Sequence, residues 1–235
     1  LIPDLEKRHI TYGLNTQADY QAREVTFEGL QSRFKIFYEG ENLGEFILRV
    51  PGTHNVQNAL AAVAVARELE LDVAVIRKGI EEFKGVERRF QIQDEIDGIT
   101  IVDDYGHHPT EIKLTLNTVK QVWKDRRVVV VYQPHRFTRT QILFKDFLTA
   151  FYQADHLVLT DIYPAGESPI KGVNSEALFQ GIKEHGHKSV VFISELEKIV
   201  DHLLDVLKPL DVVLTLGAGD IWRVGAELTQ RLRER

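Results

Sequence analysis

The sequence predicts an α/β protein in two parts: a small β meander with helices, then a Rossmann-like parallel sheet flanked by helices. Three patterns carry this expectation. Strand-like stretches separated by Gly and Asn fill residues 1–50. An Ala- and Val-rich run at helical spacing follows them. From Ile99 onward, five apolar runs alternate with helical stretches, the pattern of βα units and a parallel sheet. The runs are continuous in Val, Ile and Leu, as strands buried on both faces are.

In chain order, "ADYQAREVTFEG", "SRFKIFYEG" and "GEFILRV" read as the strands of an antiparallel meander. Pro51-Gly52 marks a turn, and a helix is expected from Asn55 to about Leu69. A second helix is expected over Val73–Phe83, and the boundary lies near Gly85, dividing the chain into 1–84 and 85–235. "ITIVDD" is the first strand of the second part, with a helix over Pro109–Trp123. "RRVVVVYQ" precedes a helix over Thr138–Tyr152, and "HLVLTD" one over Asn174–His185. "SVVFI" precedes Leu196–Leu207, and "DVVLTL" precedes a closing helix, Asp220–Leu232.

Composition excludes several classes. The 235 residues are 43% hydrophobic and 27% charged, an ordinary globular balance. The formal net charge of −6 speaks against nucleic acid as a partner and confines any nucleotide site to a local patch. With no cysteine there is no disulfide and no thiolate metal site, which fits a reducing, cytoplasmic setting. No apolar run is long enough to span a bilayer. The sequence opens Leu1-Ile2-Pro3 and contains no Met, which predicts a piece of a longer protein.

Polar residues collect where the strands of the second part end, the side on which such sheets bind ligands. Asp103-Asp104-Tyr105-Gly106-His107-His108 follows the first strand, and Gln133-Pro134-His135-Arg136-Phe137-Thr138-Arg139 the second. Asp161 to Glu167 follows the third, and Gly217-Ala218-Gly219-Asp220 the fifth. Pro109 suits the first position of a helix, with His108 near its cap and His107 projecting. Adjacent histidines lack the spacing of a helical zinc pair, so no metal site is assigned. Arg136 and Arg139, three apart near a helix start, are expected to converge on one anion. "GAGDIW" lacks the third glycine of a dinucleotide loop and reads as a tight turn with close approach. Asn55 and Asn58 share a helix face, from which carboxamides could read an adenine edge. A nicotinamide-dependent dehydrogenase would need pyrophosphate at the turn "DDYGHH", whose acidity opposes it.

Taken together, "VPGTHNVQNALAA", "GVERRFQ", "VDDYGHHPTEI", "QPHRFTRT" and "LTLGAGDI" resemble the Mur ligase family in order and spacing. The resemblance implies that 1–84 is the end of a central ATP-binding domain and 85–235 a C-terminal Rossmann-like domain for amino acid and nucleotide. It implies an ATP-dependent amide ligase of peptidoglycan synthesis that joins L-alanine to UDP-N-acetylmuramate through an acyl phosphate. A ligase that recycles a whole tripeptide, or a non-catalytic nucleotide-binding module, is the alternative. Asn55, Asn58, Arg89 and Asp104 would then serve ATP, with Asn55 and Asn58 at the adenine and Asp104 at the ribose hydroxyls. Arg136 and Arg139 would clamp the alanine carboxylate, and Tyr105 and His107 would flank the amino acid. The family's phosphate-binding G-x-x-x-x-G-K-[ST] motif is missing from this sequence. Magnesium ligands are therefore expected in a missing N-terminal part, and the chain alone is expected to be inactive.

Overall fold

The computed structural model describes residues 9–14 and 17–235; residues 1–3, noted above, lie outside them. The chain divides into two compact units, Leu1–Gly85 and Val86–Arg235, one residue beyond the expected boundary. Among the described residues, no helix is long and apolar enough to cross a membrane.

The first unit is a four-stranded sheet carrying two helices. Strands β1 (Tyr12–Gly13), β2 (Tyr20–Glu28), β3 (Gln31–Tyr38) and β4 (Glu41–Leu48) lie in sequence order. β2, β3 and β4 pair antiparallel, as the alternating pattern predicts, while the short β1 adds a parallel edge. Tyr38 pairs with Glu41, so Glu39 and Gly40 form a two-residue turn. Both have positive φ, 47° and 90°, the primed geometry that matches strand twist. Helix α1 (Thr53–Glu68) buries Val56, Ala59, Leu60, Val63 and Ala64 on one face. They pack on Tyr20, Phe34, Ile36 and Phe46 of the sheet. Helix α2 (Val73–Glu82) is capped by Asp72, which accepts from the Ala74 N–H, and is tied to β4 by Arg77 donating to the Leu43 carbonyl at 2.7 Å.

The second unit has three layers. Its sheet contains β5 (Gln91–Ile96), β6 (Ile99–Asp104), β7 (Val128–Tyr132), β8 (His156–Leu159), β9 (Val190–Phe192) and β10 (Val212–Leu216), in the order β5-β6-β10-β7-β8-β9. Five strands are parallel, as expected, but β5 runs antiparallel to β6, so the sheet is mixed rather than purely parallel. Alternate strand residues face opposite sides. One side packs on helices α3 (Pro109–Val122) and α6 (Ser175–Glu184), the other on α7 (Leu196–Val206) and α8 (Trp222–Arg233). The long helix expected over Thr138–Tyr152 is instead two short ones, α4 (Phe137–Ile142) and α5 (Phe144–Phe147). The break at Leu143 lets Phe147 and Phe151 enter the core against Tyr132, with ring centroids at 5.8 and 4.9 Å. Burial of two aromatics outweighs a few helical hydrogen bonds exchanged for water.

Strand β10 is inserted between β6 and β7. The register sets Asp104, Leu216 and Tyr132 level on neighbouring strands. The chain leaves β6 toward α3 on one face and β10 toward α8 on the other, so the loops part at these ends. That is the switch point at which such sheets form a crevice.

Candidate functional site

Three loops meet at this rim, and buried polar contacts fix each of them. Asp103, fully buried at the end of β6, accepts from Arg88 Nε at 2.9 Å and from the Thr215 hydroxyl at 2.6 Å. The same guanidinium donates to the carbonyls of Gly217 at 2.7 Å and Gly219 at 3.1 Å. Arg88 therefore binds the β6 end to the loop after β10. Sequence reasoning passed over it in favour of its neighbour Arg89, because nothing in "ERRF" distinguishes the two. The glycines of that loop are there for close approach: a Cβ on Gly217 would stand 2.9 Å from the Gln133 carbonyl, and one on Gly219 2.7 Å from the Tyr163 ring. Gln133 completes the junction, donating to Asp220 at 2.9 Å and accepting from the Ile221 N–H at 3.2 Å.

Asp104 is only 5% exposed. One oxygen accepts from the Phe90 N–H at 2.8 Å and the other from the Gly106 N–H at 2.7 Å. Burial raises its pKa above the usual carboxylate value, against the pull of those two N–H groups. The carboxylate expected to face a ribose is thus committed to its own loops in this structure. Arg89, by contrast, is half-exposed, since Arg88 and Phe90 on either side both adopt positive φ, 58° and 47°. Its guanidinium stands 5.4 Å from the Tyr105 ring and 3.5 Å from Glu111.

His108 caps α3, its ring nitrogen accepting from the Thr110 N–H at 3.2 Å. Glu111 closes the capping box, with one oxygen accepting from the N–H of His107 at 3.0 Å and of His108 at 3.1 Å. Held this way, His107 directs Nδ1 to the Tyr105 carbonyl at 3.1 Å. A carbonyl only accepts, so the Nδ1 proton stays and Nε2 offers a lone pair. Burial, with the Arg139 and Arg89 charges adding to it, pushes the His107 pKa below the usual histidine range.

The β7 loop continues the pairing of its strand. His135 bridges Tyr163 beyond β8, Arg136 N–H donates to the Tyr163 carbonyl at 2.9 Å, and the two rings stack 5.6 Å apart. His135 also lies 5.7 Å from the His107 ring. Arg139 Nη1 reaches both His135 Nδ1 at 3.0 Å and its carbonyl at 3.1 Å. Arginine only donates, so His135 carries its proton on Nε2. Burial and the adjacent Arg139 push its pKa down to about 4, leaving it neutral. Arg136 is exposed at φ 72° and sits 4.0 Å from Glu167. The two arginines therefore take different partners here and do not converge, contrary to the expectation from their spacing. Glu167 also accepts from the Thr138 hydroxyl at 2.6 Å and N–H at 3.0 Å, capping α4 from outside.

In the first unit, Asn55 Nδ2 donates to the Pro51 carbonyl at 2.7 Å, and Asn58 is exposed, 3.5 Å from Asn55 Oδ1. The pair does share a face, with Asn55 turned back toward the helix start. Among the described residues, no group of three or more His, Cys, Asp or Glu could hold a metal ion.

Tyr105, His107, His135, Arg136 and Arg139 thus meet on one rim with Arg89 and Glu111. Comparison with known proteins places the chain in a family. Residues 88–219 match the Mur ligase glutamate ligase domain, and residues 2–66 match the Mur ligase middle domain. The chain belongs to the Mur ligase family. It is 54% identical over 234 residues to the UDP-N-acetylmuramate–L-alanine ligase of Geotalea daltonii, and 50% identical over 234 residues to that of Geobacter sulfurreducens. Each alignment covers 100% of this chain and 51% of the relative. The crystal structure of the UDP-N-acetylmuramate–alanine ligase of Thermotoga maritima superposes with a TM-score of 0.80 at 30% identity, over 96% of this chain and 48% of that one. This Mur ligase chain spans about half the length of the curated relatives it matches.

Proposed function

We propose that this chain is the part of an ATP-dependent ligase that receives L-alanine for joining to UDP-N-acetylmuramate. The observation that carries the reading is two neutral imidazoles, His107 and His135, held beside the cationic Arg139 on one rim of the sheet. An amino acid entering there brings a carboxylate and an amine. Arg139 keeps further donors after Nη1 is used on His135, and Arg136 is exposed three residues before it. Binding would draw Arg136 from its loose 4.0 Å pairing with Glu167 onto the carboxylate. The His107 Nε2 lone pair can take a hydrogen bond from the amine, which must shed its proton to attack. Tyr105 and His107, with rings 5.5 Å apart, would wall the side chain.

ATP, when bound, supplies the phosphate that activates the muramyl carboxylate. In the second unit Arg89 is a half-exposed cation suited to a nucleotide; in the first unit Asn58, backed by Asn55, offers a carboxamide of the kind that reads a base. Asp104 would act by shaping the loops of Phe90 and Gly106, with ribose contact limited to its remaining lone pairs.

The test is phosphate release by a full-length ligase carrying this sequence, assayed with ATP and UDP-N-acetylmuramate. Release that depends on L-alanine is expected. Arg139→Ala should raise the KM for alanine about tenfold to a hundredfold, the worth of one or two charged hydrogen bonds. Release driven by a tripeptide and not by alanine would replace the alanine reading, and an unchanged KM would remove the clamp.

A further inference from the structure

Glu111 touches both groups that the proposed function assigns to different ligands. One carboxylate oxygen holds the N–H groups of His107 and His108 and lies 3.8 Å from His107 Nδ1. The other faces Arg89 Nη1 at 3.5 Å. The cluster closes on itself through Tyr105, whose ring takes the Arg89 guanidinium at 5.4 Å and the His107 edge at 5.5 Å, and whose carbonyl takes His107 Nδ1. A capping box alone would need only the first oxygen. The second is left to an arginine whose backbone is already fixed by the neighbouring Arg88 staple.

We propose that Glu111 is a positioning residue that links the nucleotide-side Arg89 to the amino-acid-side His107. The inference rests on the reading above. With Arg89 in place, the Glu111 charge is shared between a guanidinium and the His107 imidazole. When Arg89 turns to an anionic nucleotide, Glu111 acts on His107 alone. The imidazole then becomes a better proton acceptor at the moment an activated carboxylate awaits the amine. Nucleotide arrival would thereby prepare the amine-binding group, with no movement of the sheet required.

The groups facing His107 set the sign of the effect. Glu111 on α3 raises its proton affinity, whereas Arg139 on α4, Arg89, and burial beside His135 lower it. Removing the Glu111 charge must therefore lower the His107 pKa further. Glu111→Gln keeps a carbonyl oxygen for the capping N–H groups and removes the charge. In the 235-residue chain, NMR titration of the His107 ring should show its pKa falling by about one unit in this variant. In the full-length ligase, the acidic limb of the kcat/KM profile for alanine should move to lower pH by the same amount. Arg89→Gln should raise the His107 pKa in the wild-type background and do so less in Glu111→Gln.

A purely structural Glu111 would lower Tm and leave the titration where it was, and that result overturns the link. If Glu111→Gln does not fold, Arg89→Gln alone decides, since an unshifted His107 there also overturns it. The Arg139→Ala assay separates the two ideas. A normal alanine KM in that variant removes the Arg139 clamp, and release driven by a tripeptide and not by alanine ends the alanine reading, even if the His107 titration shifts. A raised KM with an unmoved titration ends only the Glu111 link.

Discussion

Arg88 shows how much one residue can hold at this rim. It is the cation paired with the buried Asp103, and it gathers two glycine carbonyls as well. Truncating one member of a buried, hydrogen-bonded pair leaves a charge without compensation and costs about 3–5 kcal/mol. Arg88→Ala is therefore expected to lower unfolding stability by that order in urea titrations. The double variant Arg88→Ala with Asp103→Asn should recover part of the loss, because no stranded charge remains. A loss below about 1 kcal/mol in the single variant would mean that the pair is surface-like. Its neighbour Arg89 is the opposite case, half-exposed and loosely paired, and its substitution should bear on ligands more than on folding.

At the scale of elements, the parallel strands and long helices were legible because their signals are local and repeated. Continuous apolar runs gave β6, β7, β8 and β10, and Pro109 marked the start of α3 to the residue. Edge strand β5 was missed because "QIQDEI" is polar and only half-buried, so it carries no apolar run. A cue did exist. Ile96 pairs with Ile99, and Asp97-Gly98 between them is a two-residue turn with φ 50° and 77°, a hairpin signature readable in the sequence. The α4–α5 break had no such cue, since Leu143 ends a helix only because Phe147 and Phe151 have a core to enter. The site was legible as residue types at strand ends, but not as partners. The Glu167 cap and the hold of Phe90 on Asp104 depend on loops distant in sequence, and the Arg139–His135 bond, though it spans only four residues, depends on how the loop turns. That cap is testable: Glu167→Ala leaves the first turn of α4 without its outside acceptor. It should lower the denaturation midpoint, as the loss of a helix cap does. Glu167→Gln, which can still accept from Thr138, should recover most of it.

Across the whole molecule, buried histidines make stability depend on acidity. His156, at the start of β8, contacts Ser189 at 2.7 Å and His202 of α7 at 2.9 Å, nitrogen to nitrogen. Burial and the facing His202 push its pKa down to about 4, with Arg127 and His187 acting in the same direction. Burial also lowers His202, against the pull of Asp205. His135 at the opposite end of the sheet is likewise near 4. In the unfolded chain these rings titrate near 6.5, so between about 4 and 6.5 the unfolded state binds more protons. Their stabilising effect is complete above about pH 6.5 and is lost as the pH falls through that window. Tm is therefore expected to be flat from pH 7 to 8 and to fall steadily from pH 6.5 toward 4.5. His202→Gln removes one titrating ring yet keeps an amide to bond with His156. It should make the acid slope shallower without changing the plateau by a comparable amount. If the slope in His202→Gln equals that of the parent chain, the acid sensitivity must come from the carboxylates instead.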